Sequence, residues 1–316
     1  MHSQFVRVGD VNINVVVDGA GPLILCVHGW PELSHSWRHQ MAHFATRGFT
    51  VAALDVRGYG RSDKPWAVAA YTMRTIAADV AAVIDALGGG PAILFGHDWG
   101  APIVYATTLL YPEKVRAVAG LSVPHMPQTD TSFLAMLRML YKDRFFYQLY
   151  FQAEGVAEQE FGRDPRTALL KLYGTKAGSG DPAAFSAGRP DERDMLSSLP
   201  VPPLPDWLSE ADLSVYVEAF CAGGWRGPLN RYRAQELDYA ARADLVGQRI
   251  AQPAVFIGGS LDPVRRFVPG ADLFADTGAG CADFRGATIV PGAGHWVQQE
   301  AADAVNAALE VFVGGL

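Results

Sequence analysis

The sequence has little of what marks several classes of protein. Its 316 residues include only three cysteines, Cys26, Cys221 and Cys281. This odd, sparse set argues against a disulfide framework and favours a reducing, cytoplasmic location. No run of about 18 apolar residues occurs, so we expect no transmembrane helix and no membrane partner. No charged region followed by an apolar one comes after Met1, so we expect no signal peptide.

Positive charge is also scarce. The chain has 26 Lys and Arg residues against 33 Asp and Glu residues, which gives a formal net charge of −7. Proteins that bind nucleic acid usually carry a basic patch or stripe, and none is present, so we expect no nucleic-acid partner. The sequence also lacks a cluster of metal-ligand residues and a phosphate-binding loop, so we predict neither a metal nor an organic cofactor.

The remaining composition, 49% hydrophobic and 19% charged residues, is typical of a globular protein with a sizeable core. Residues 5–17 alternate between apolar and polar, which predicts an antiparallel hairpin at a sheet edge. Strands and helices then alternate, which predicts a mostly parallel sheet with helices on both faces. The predicted strands are 22–27, 50–54, 92–95 and 115–121, and the predicted helices are 33–46, 72–87 and 101–110.

This alternation stops near Pro124 and resumes near Pro253. Two last strands, 254–258 and 287–290, and a closing helix, 296–313, follow. We therefore predict an α/β core domain from residues 1–125 and 248–316. Residues 126–247 are predicted to form an inserted helical lid, or cap, above the strand ends, where open α/β sheets bind ligands. Its predicted helices are 133–140, 145–152, 210–222 and 229–237, and its predicted long loops are 174–193 and 199–205.

One short motif resembles a nucleophile elbow. Gly96-His97-Asp98-Trp99-Gly100 stands between a predicted strand and a predicted helix, the pattern Gly-X-nucleophile-X-Gly of α/β-hydrolases. The glycines allow the sharp turn and leave room for a strained central residue. That residue is Asp98, where most hydrolases of this fold carry Ser or Cys.

Three further features complete a catalytic pattern in the order expected for this fold. Asp262 follows the strand at 254–258, and His295 follows the last strand. The turn His28-Gly29-Trp30-Pro31 follows the strand at 22–27, so the backbone N–H groups of Trp30 and Trp99 are the predicted oxyanion hole. Taken singly, each residue has an ordinary structural explanation. Because all of them come at the carboxyl ends of predicted strands, the pattern favours a triad of Asp98, Asp262 and His295.

An aspartate nucleophile restricts the chemistry. Attack on an ester would give an anhydride, which gains nothing, whereas attack on saturated carbon gives an alkyl ester that water can cleave. Asp98 therefore indicates an epoxide or an alkyl halide as substrate. A halide leaves as a stable anion and needs only weak donors such as indole N–H groups. An epoxide oxygen leaves as a basic alkoxide and needs a stronger donor such as a tyrosine hydroxyl.

The chain resembles the soluble epoxide hydrolases of the α/β-hydrolase fold from about residue 5 to residue 313. The resemblance implies two lid tyrosines that hold the epoxide oxygen, Tyr147 and Tyr232 by motif position, with Tyr150 as a competitor for Tyr147. Residues 174–205 have no counterpart that aligns. The matching motifs are His28-Gly29-Trp30-Pro31-Glu32, Ser36-Trp37-Arg38-His39-Gln40, Asp55-Val56-Arg57-Gly58-Tyr59-Gly60-Arg61-Ser62, Gly96-His97-Asp98-Trp99-Gly100, Tyr147-Gln148-Leu149-Tyr150-Phe151-Gln152, Leu229-Asn230-Arg231-Tyr232-Arg233 and Gly294-His295-Trp296.

The resemblance implies that an epoxide and water are the reactants and a vicinal diol the product. A hydroxyalkyl ester forms on Asp98, and water activated by His295, with Asp262 behind it, hydrolyses it. The expected substrate cavity is apolar, and the oligomeric state stays open, with a homodimer as one option. The predicted lining residues are Trp30, Pro31, Trp99, Phe146, Tyr150 and Trp296.

The main alternative is a haloalkane dehalogenase, which shares the fold and the Asp-Trp pair at the elbow. Trp30 disfavours it, because dehalogenases of this fold usually offer a polar halide-binding side chain at this position. The lid tyrosines disfavour it as well. A fluoroacetate dehalogenase would carry Arg in place of Trp99, and a carboxylesterase would carry Ser or Cys in place of Asp98. A non-catalytic small-molecule receptor would not need the full triad.

Overall fold

A single mixed sheet runs through the residues that the structure, a computed structural model, describes, which are 1–88, 90–127, 129–142, 144–174, 194–196 and 199–316. Its strand order is β1-β2-β4-β3-β5-β6-β7-β8. The strands are β1 (His2–Val8), β2 (Val11–Gly19), β3 (Leu23–Val27), β4 (Thr50–Leu54), β5 (Ala92–His97), β6 (Val115–Leu121), β7 (Ile250–Gly259) and β8 (Cys281–Val290).

The sheet is parallel except at one edge. Strands β1 and β2 form the predicted antiparallel hairpin, and β2 pairs antiparallel with β4. The pairs from β4 through β8 are parallel. Strands β3, β5 and β6 are buried along nearly their whole length, as their continuous apolar sequences require when helices cover both faces. The predicted fold class is confirmed.

Helices cover both faces of the sheet. Ile76, Val80 and Ile103 belong to one apolar cluster, and Phe44 and Leu309 belong to another. The helices are α1 (Arg38–Ala45), α2 (Met73–Ala86), α3 (Gly100–Leu110), α4 (Phe133–Leu140), α5 (Tyr147–Tyr150), α6 (Val156–Arg163), α7 (Pro165–Gly174), α8 (Glu210–Gly223), α9 (Arg226–Arg233), α10 (Gln235–Ala240), α11 (Val297–Glu300) and α12 (Ala302–Gly314).

The inserted segment is helical, but its helices differ from the predicted ones. Helix α4 has the predicted bounds, whereas α5 spans four residues of the predicted 145–152. Helices α6 and α7 were not predicted, because each is short and Asp164-Pro165 interrupts the apolar periodicity between them. The predicted helix 229–237 is split into α9 and α10, and the closing helix into α11 and α12.

The two predicted loops of the lid have different outcomes. Residues 199–205 are irregular, as predicted for a proline-rich stretch. Apart from Gly174, the last residue of α7, the predicted loop 174–193 lies outside the described residues.

Among the described residues, no helix combines the length and the apolar sequence that a bilayer crossing requires.

One buried histidine lies outside the predicted site. His125, four residues after β6, is 9% exposed, and its Nε2 atom has no hydrogen-bond partner among the described residues. Burial lowers the pKa of His125 to about 4. The folded state therefore holds this ring neutral, while the unfolded chain protonates it below its ordinary pKa.

We expect this histidine to reduce stability as the pH falls from about 6.5 to about 4. Over that range the unfolded state binds one more proton at this residue, which corresponds to roughly 3 kcal/mol. A His125→Leu variant should lose less stability over the same range, measured by urea unfolding at several pH values. His2→Leu, at an exposed histidine, is the control. Its free energy of unfolding should change with pH as steeply as that of the parent. Equal slopes for His125→Leu and the parent would contradict the prediction.

Candidate active site

The turn after β5 has the sharp geometry that its sequence predicts. Asp98 adopts a left-handed backbone conformation with φ of +50°, which side chains other than glycine rarely adopt. Small neighbours make this turn fit. A side chain at Gly100 would collide with the carbonyl oxygen of Val27, and one at Gly96 would collide with the backbone of Gly100. The backbone therefore lifts the Asp98 carboxylate above the end of the sheet.

The carboxylate of Asp98 is held at both oxygens. Its Oδ1 atom accepts a hydrogen bond of 2.7 Å from the backbone N–H of Trp30. Its Oδ2 atom lies 3.4 Å from Nε2 of His295. A side chain at Gly29 would collide with Oδ1 and approach the backbone nitrogen of Trp99, so both of these atoms lie against Gly29. The Trp30 N–H thus binds Oδ1, and the backbone nitrogen of Trp99 lies beside the same glycine.

His295 lies between two carboxylates. Its Nδ1 atom is 3.1 and 3.2 Å from the two oxygens of Asp262, and its Nε2 atom faces Asp98. Asp262 follows β7, is buried, and accepts a further hydrogen bond from the backbone N–H of Val264. Burial works against a charged ring, but the negative charges of Asp262 and Asp98 outweigh it and raise the pKa of His295 well above its ordinary value.

A second buried ion pair supports this arrangement from below. His97 donates from Nδ1 to Glu32 at 2.7 Å and from Nε2 to the backbone carbonyl of His295 at 2.7 Å. The hydroxyl of Ser122 donates to the same carbonyl at 2.7 Å. Glu32 also accepts from the backbone N–H of Gly29. The pair therefore joins the turn at Gly29 to the backbone of His295.

No role was predicted for Glu32 or His97, although both stand inside motifs that carry predicted site residues. Each is a titratable residue close in sequence to a predicted site residue. This position is the signal that could have indicated a role. Burial alone would raise the pKa of Glu32, but the neighbouring His97 and the hydrogen bond from Gly29 bring it down to about 2. Glu32 is thus a carboxylate in a site with no access to water.

Two tyrosines of the inserted segment close the cavity above Asp98. Tyr147 comes from α5 and Tyr232 from α9, and their ring centroids are 6.0 Å apart. Both line the cavity that Asp98 and His295 also line. Burial, with the charge of Asp98 adding to it, raises the pKa of both hydroxyls, so each is neutral and carries a proton that it can donate.

Tyr150 lies elsewhere. It follows Tyr147 by three residues on the same short helix, but its hydroxyl donates to Glu160 at 2.7 Å and does not line the cavity. The sequence did not decide between Tyr147 and Tyr150. In the structure, Tyr147 lines the cavity and Tyr150 does not.

The predicted lining residues fall into two groups. Trp30 and Trp296 line the cavity, while Pro31, Trp99, Phe146 and Tyr150 lie outside it. The carbonyl of Pro31 accepts a hydrogen bond from Tyr173, Phe146 stacks on Tyr141, and the ring of Trp99 packs against Tyr232. Sequence position places these residues near the site but does not show where their side chains point. The described lining residues are Trp30, Asp98, Tyr147, Leu172, Tyr232, Pro263, Val264, Phe267, His295 and Trp296.

No group of three or more His, Cys, Asp or Glu side chains in the described parts of the chain is close enough together to hold a metal ion.

A strained aspartate turn beneath an inserted helical cap, with an acid and a histidine on neighbouring loops, defines an α/β-hydrolase. Residues 22–302 match the family described as alpha/beta hydrolase fold. Epoxide hydrolase A of Mycobacterium tuberculosis is 38% identical over 99% of this chain and 97% of its own. The structure of an epoxide hydrolase from an endophytic Streptomyces is 40% identical, with a TM-score of 0.93 over 99% of this chain and 95% of its own. An epoxide hydrolase from Vigna radiata is 34% identical, with a TM-score of 0.92 over 100% and 98%.

The chain belongs to the epoxide hydrolases of the α/β-hydrolase family, enzymes that hydrolyse an ether bond.

The buried pair of Glu32 and His97 gives the first prediction for the site. In Glu32→Gln the buried ring of His97 loses its carboxylate partner, so the free energy of unfolding should fall by roughly 3–5 kcal/mol. Glu310→Gln is the matched control, because Glu310 pairs with Arg47 at the surface, and its loss should be below about 1 kcal/mol. Urea unfolding at pH 7 measures both. A loss for Glu32→Gln no larger than the control's would refute a stabilising role.

Proposed function

We propose that this enzyme converts an apolar epoxide to a vicinal diol through a hydroxyalkyl ester on Asp98. The observation that supports this most is that Asp98 and two neutral tyrosines line the same cavity. A nucleophilic carboxylate needs a saturated carbon to attack, and a basic leaving oxygen needs a strong donor. The names of the relatives agree with this substrate class.

In the first step, Oδ2 of Asp98 attacks one epoxide carbon and the bond from that carbon to the epoxide oxygen breaks. The oxygen keeps the electron pair of the broken bond and takes a proton from the tyrosine pair, Tyr147 and Tyr232. The hydrogen bond from Trp30 holds Oδ1 away from this attack and leaves it in position to become the carbonyl oxygen of the ester.

The second step needs His295 as a base. In the free enzyme, the charges of Asp262 and Asp98 favour the protonated ring. Ester formation removes the charge of Asp98, so the pKa of His295 falls and the ring gives up its proton, which restores the tyrosine that protonated the epoxide oxygen. His295 then takes a proton from water as the water attacks the carbonyl carbon of the ester.

The tetrahedral intermediate of this step carries its negative charge on the former Oδ1 atom of Asp98. The backbone N–H groups of Trp30 and Trp99 stabilise that charge, at about 3 kcal/mol for each donor. Collapse breaks the bond from the carbonyl carbon to the alkyl oxygen, which takes a proton from the His295 ring and leaves in the diol. The carboxylic acid of Asp98 then returns a proton to His295, which restores the carboxylate.

The residues around the reacting groups support an apolar substrate. Leu172, Val264, Phe267 and Trp296 line the cavity, and the polar groups in it are those assigned to catalysis. Such a wall favours an epoxide with hydrocarbon or aromatic substituents.

A dehalogenase has less support. A halide leaves as a stable anion and needs only weak donors, whereas two tyrosine hydroxyls line this cavity with Asp98. Trp30 replaces the polar side chain that would complete a halide site.

The covalent step gives a direct prediction. His295→Gln should form the ester but hydrolyse it slowly, so intact-protein mass spectrometry after mixing with styrene oxide should show the added mass of one substrate. Asp98→Asn should show no added mass and no diol. Diol and halide release should be followed in parallel on a panel of epoxides and alkyl halides. Halide release without diol would favour the dehalogenase, and diol without an adduct in His295→Gln would oppose covalent catalysis.

The tyrosine pair is tested with a matched neighbour. Tyr147→Phe and Tyr232→Phe should each slow ester formation by roughly 10- to 100-fold, because each removes one of two donors to the leaving oxygen. Tyr150→Phe lies on the same helix but outside the cavity, so its rate should stay close to that of the parent. Single-turnover mixing with excess enzyme measures this step. A larger loss for Tyr150→Phe than for Tyr147→Phe would reverse the assignment.

A further inference from the structure

Three glutamines connect the two helices that carry the tyrosines. Gln152 donates from Nε2 to the backbone carbonyls of Gln148, at 2.8 Å, and of Tyr232, at 3.2 Å. Gln235 donates to the carbonyl of Tyr232 at 3.1 Å and to Oε1 of Gln148 at 3.4 Å. We call Gln148, Gln152 and Gln235 the glutamine clamp. It ties α5 to the end of α9 and so sets the distance between Tyr147 and Tyr232.

The orientation of each amide follows from its partners. A backbone carbonyl can only accept a hydrogen bond, so Gln235 must turn its nitrogen toward the carbonyl of Tyr232. The same nitrogen faces the side chain of Gln148, which must therefore present its oxygen. The nitrogen of Gln148 is left facing Oη of Tyr147, at 3.0 Å. Gln148 is 6% exposed, so water does not compete for this contact.

The direction of this last hydrogen bond matters for the chemistry. Because Gln148 donates, Tyr147 accepts with its oxygen, and the proton of Tyr147 is not used by Gln148. A glutamine in the opposite orientation would accept that proton and hold it away from the cavity.

We propose that Gln148 is a positioning residue for ring opening, which donates to the Tyr147 oxygen instead of accepting its proton and which stabilises the charge that develops on Tyr147. This inference rests on the proposed function, in which Tyr147 gives a proton to the leaving oxygen. As that proton moves, negative charge grows on Oη of Tyr147, and the hydrogen bond from Gln148 becomes charge-assisted and stronger. An interaction that strengthens in the transition state raises the rate of that step rather than the affinity for substrate.

The contact also agrees with the acidity of the hydroxyl. Burial and the charge of Asp98 raise the pKa of Tyr147, and the hydrogen bond from Gln148 works in the opposite direction. The ring of Tyr232 lies edge to face against the ring of Trp99, with 5.2 Å between the ring centroids.

The test uses Gln148→Met, which keeps the length of the side chain and removes the donor. In single-turnover mixing with styrene oxide, we expect ester formation to slow about tenfold, as the loss of a strengthened hydrogen bond predicts. Hydrolysis of the ester should stay within about twofold of the parent, because Gln148 contacts neither His295 nor Asp262 in any hydrogen bond. If Gln148→Met forms the ester as fast as the parent enzyme does, the proposal is wrong.

A double-mutant cycle separates positioning from general damage. If Gln148 acts through the hydroxyl of Tyr147, then Gln148→Met should have no further effect on ester formation in a Tyr147→Phe background. If the clamp only supports the fold, the two losses should multiply, which would overturn the proposal. A series of ring-substituted styrene oxides adds a second measure: the loss in Gln148→Met should be larger for substrates with more basic leaving oxygens, and a loss independent of the substituent would also count against it.

Gln148→Glu provides a second variant should Gln148→Met fold poorly. A carboxylate at this position accepts a hydrogen bond from the Tyr147 hydroxyl, so ester formation in Gln148→Glu should be at least about tenfold slower than in the parent at neutral pH. A parent rate of ester formation would refute the proposal. The proposed function is judged on the parent enzyme alone. Absence of diol from the parent would remove the proposed function, whereas diol from the parent with an unaffected Gln148→Met would remove only this inference.

Discussion

The left-handed turn at Asp98 is the constraint on which the site depends. Holding a non-glycine residue there costs roughly 1–3 kcal/mol, which the packed sheet offsets. The turn fits only because Gly29, Gly96 and Gly100 leave no side chains in the surrounding space. Its result is a carboxylate with one oxygen fixed by the N–H of Trp30 and the other directed toward His295. The remaining site residues are arranged around these two oxygens.

Acidic residues and histidines alternate along the series of contacts that includes Asp98. Glu32 pairs with His97, His97 and Ser122 both bind the carbonyl of His295, and the ring of His295 lies between Asp262 and Asp98. A buried charge is costly unless it is paired and hydrogen-bonded, and here every charged group has at least one partner. In the proposed reaction, ester formation removes one negative charge from this series. The histidine next to it then becomes a base at the moment when a base is required.

Much of this could be predicted from the sequence, because the relevant signals are local. The strands around the elbow, the turn itself and the positions of Asp262 and His295 each follow from a few adjacent residues. The rest depends on partners far apart in the chain. Glu32 meets His97 across 65 residues, and Gln148 meets Gln235 across 87. Side-chain direction is equally hidden: Tyr147 and Tyr150 share one helical turn, and only the packed structure shows that Tyr150 turns toward Glu160.

The two steps of the proposed reaction depend on residues from different parts of the chain. The groups that release the leaving oxygen, Tyr147 and Tyr232, come from the inserted helices. The groups that activate water and hold the oxyanion come from loops at the ends of the sheet strands. Leu172 of the insertion lines the cavity but is not among the groups to which the proposed hydrolysis assigns a role. Because of this separation, substitutions in the inserted segment can change which epoxide the enzyme selects, in evolution or in the laboratory. The residues that hydrolyse the ester then stay the same.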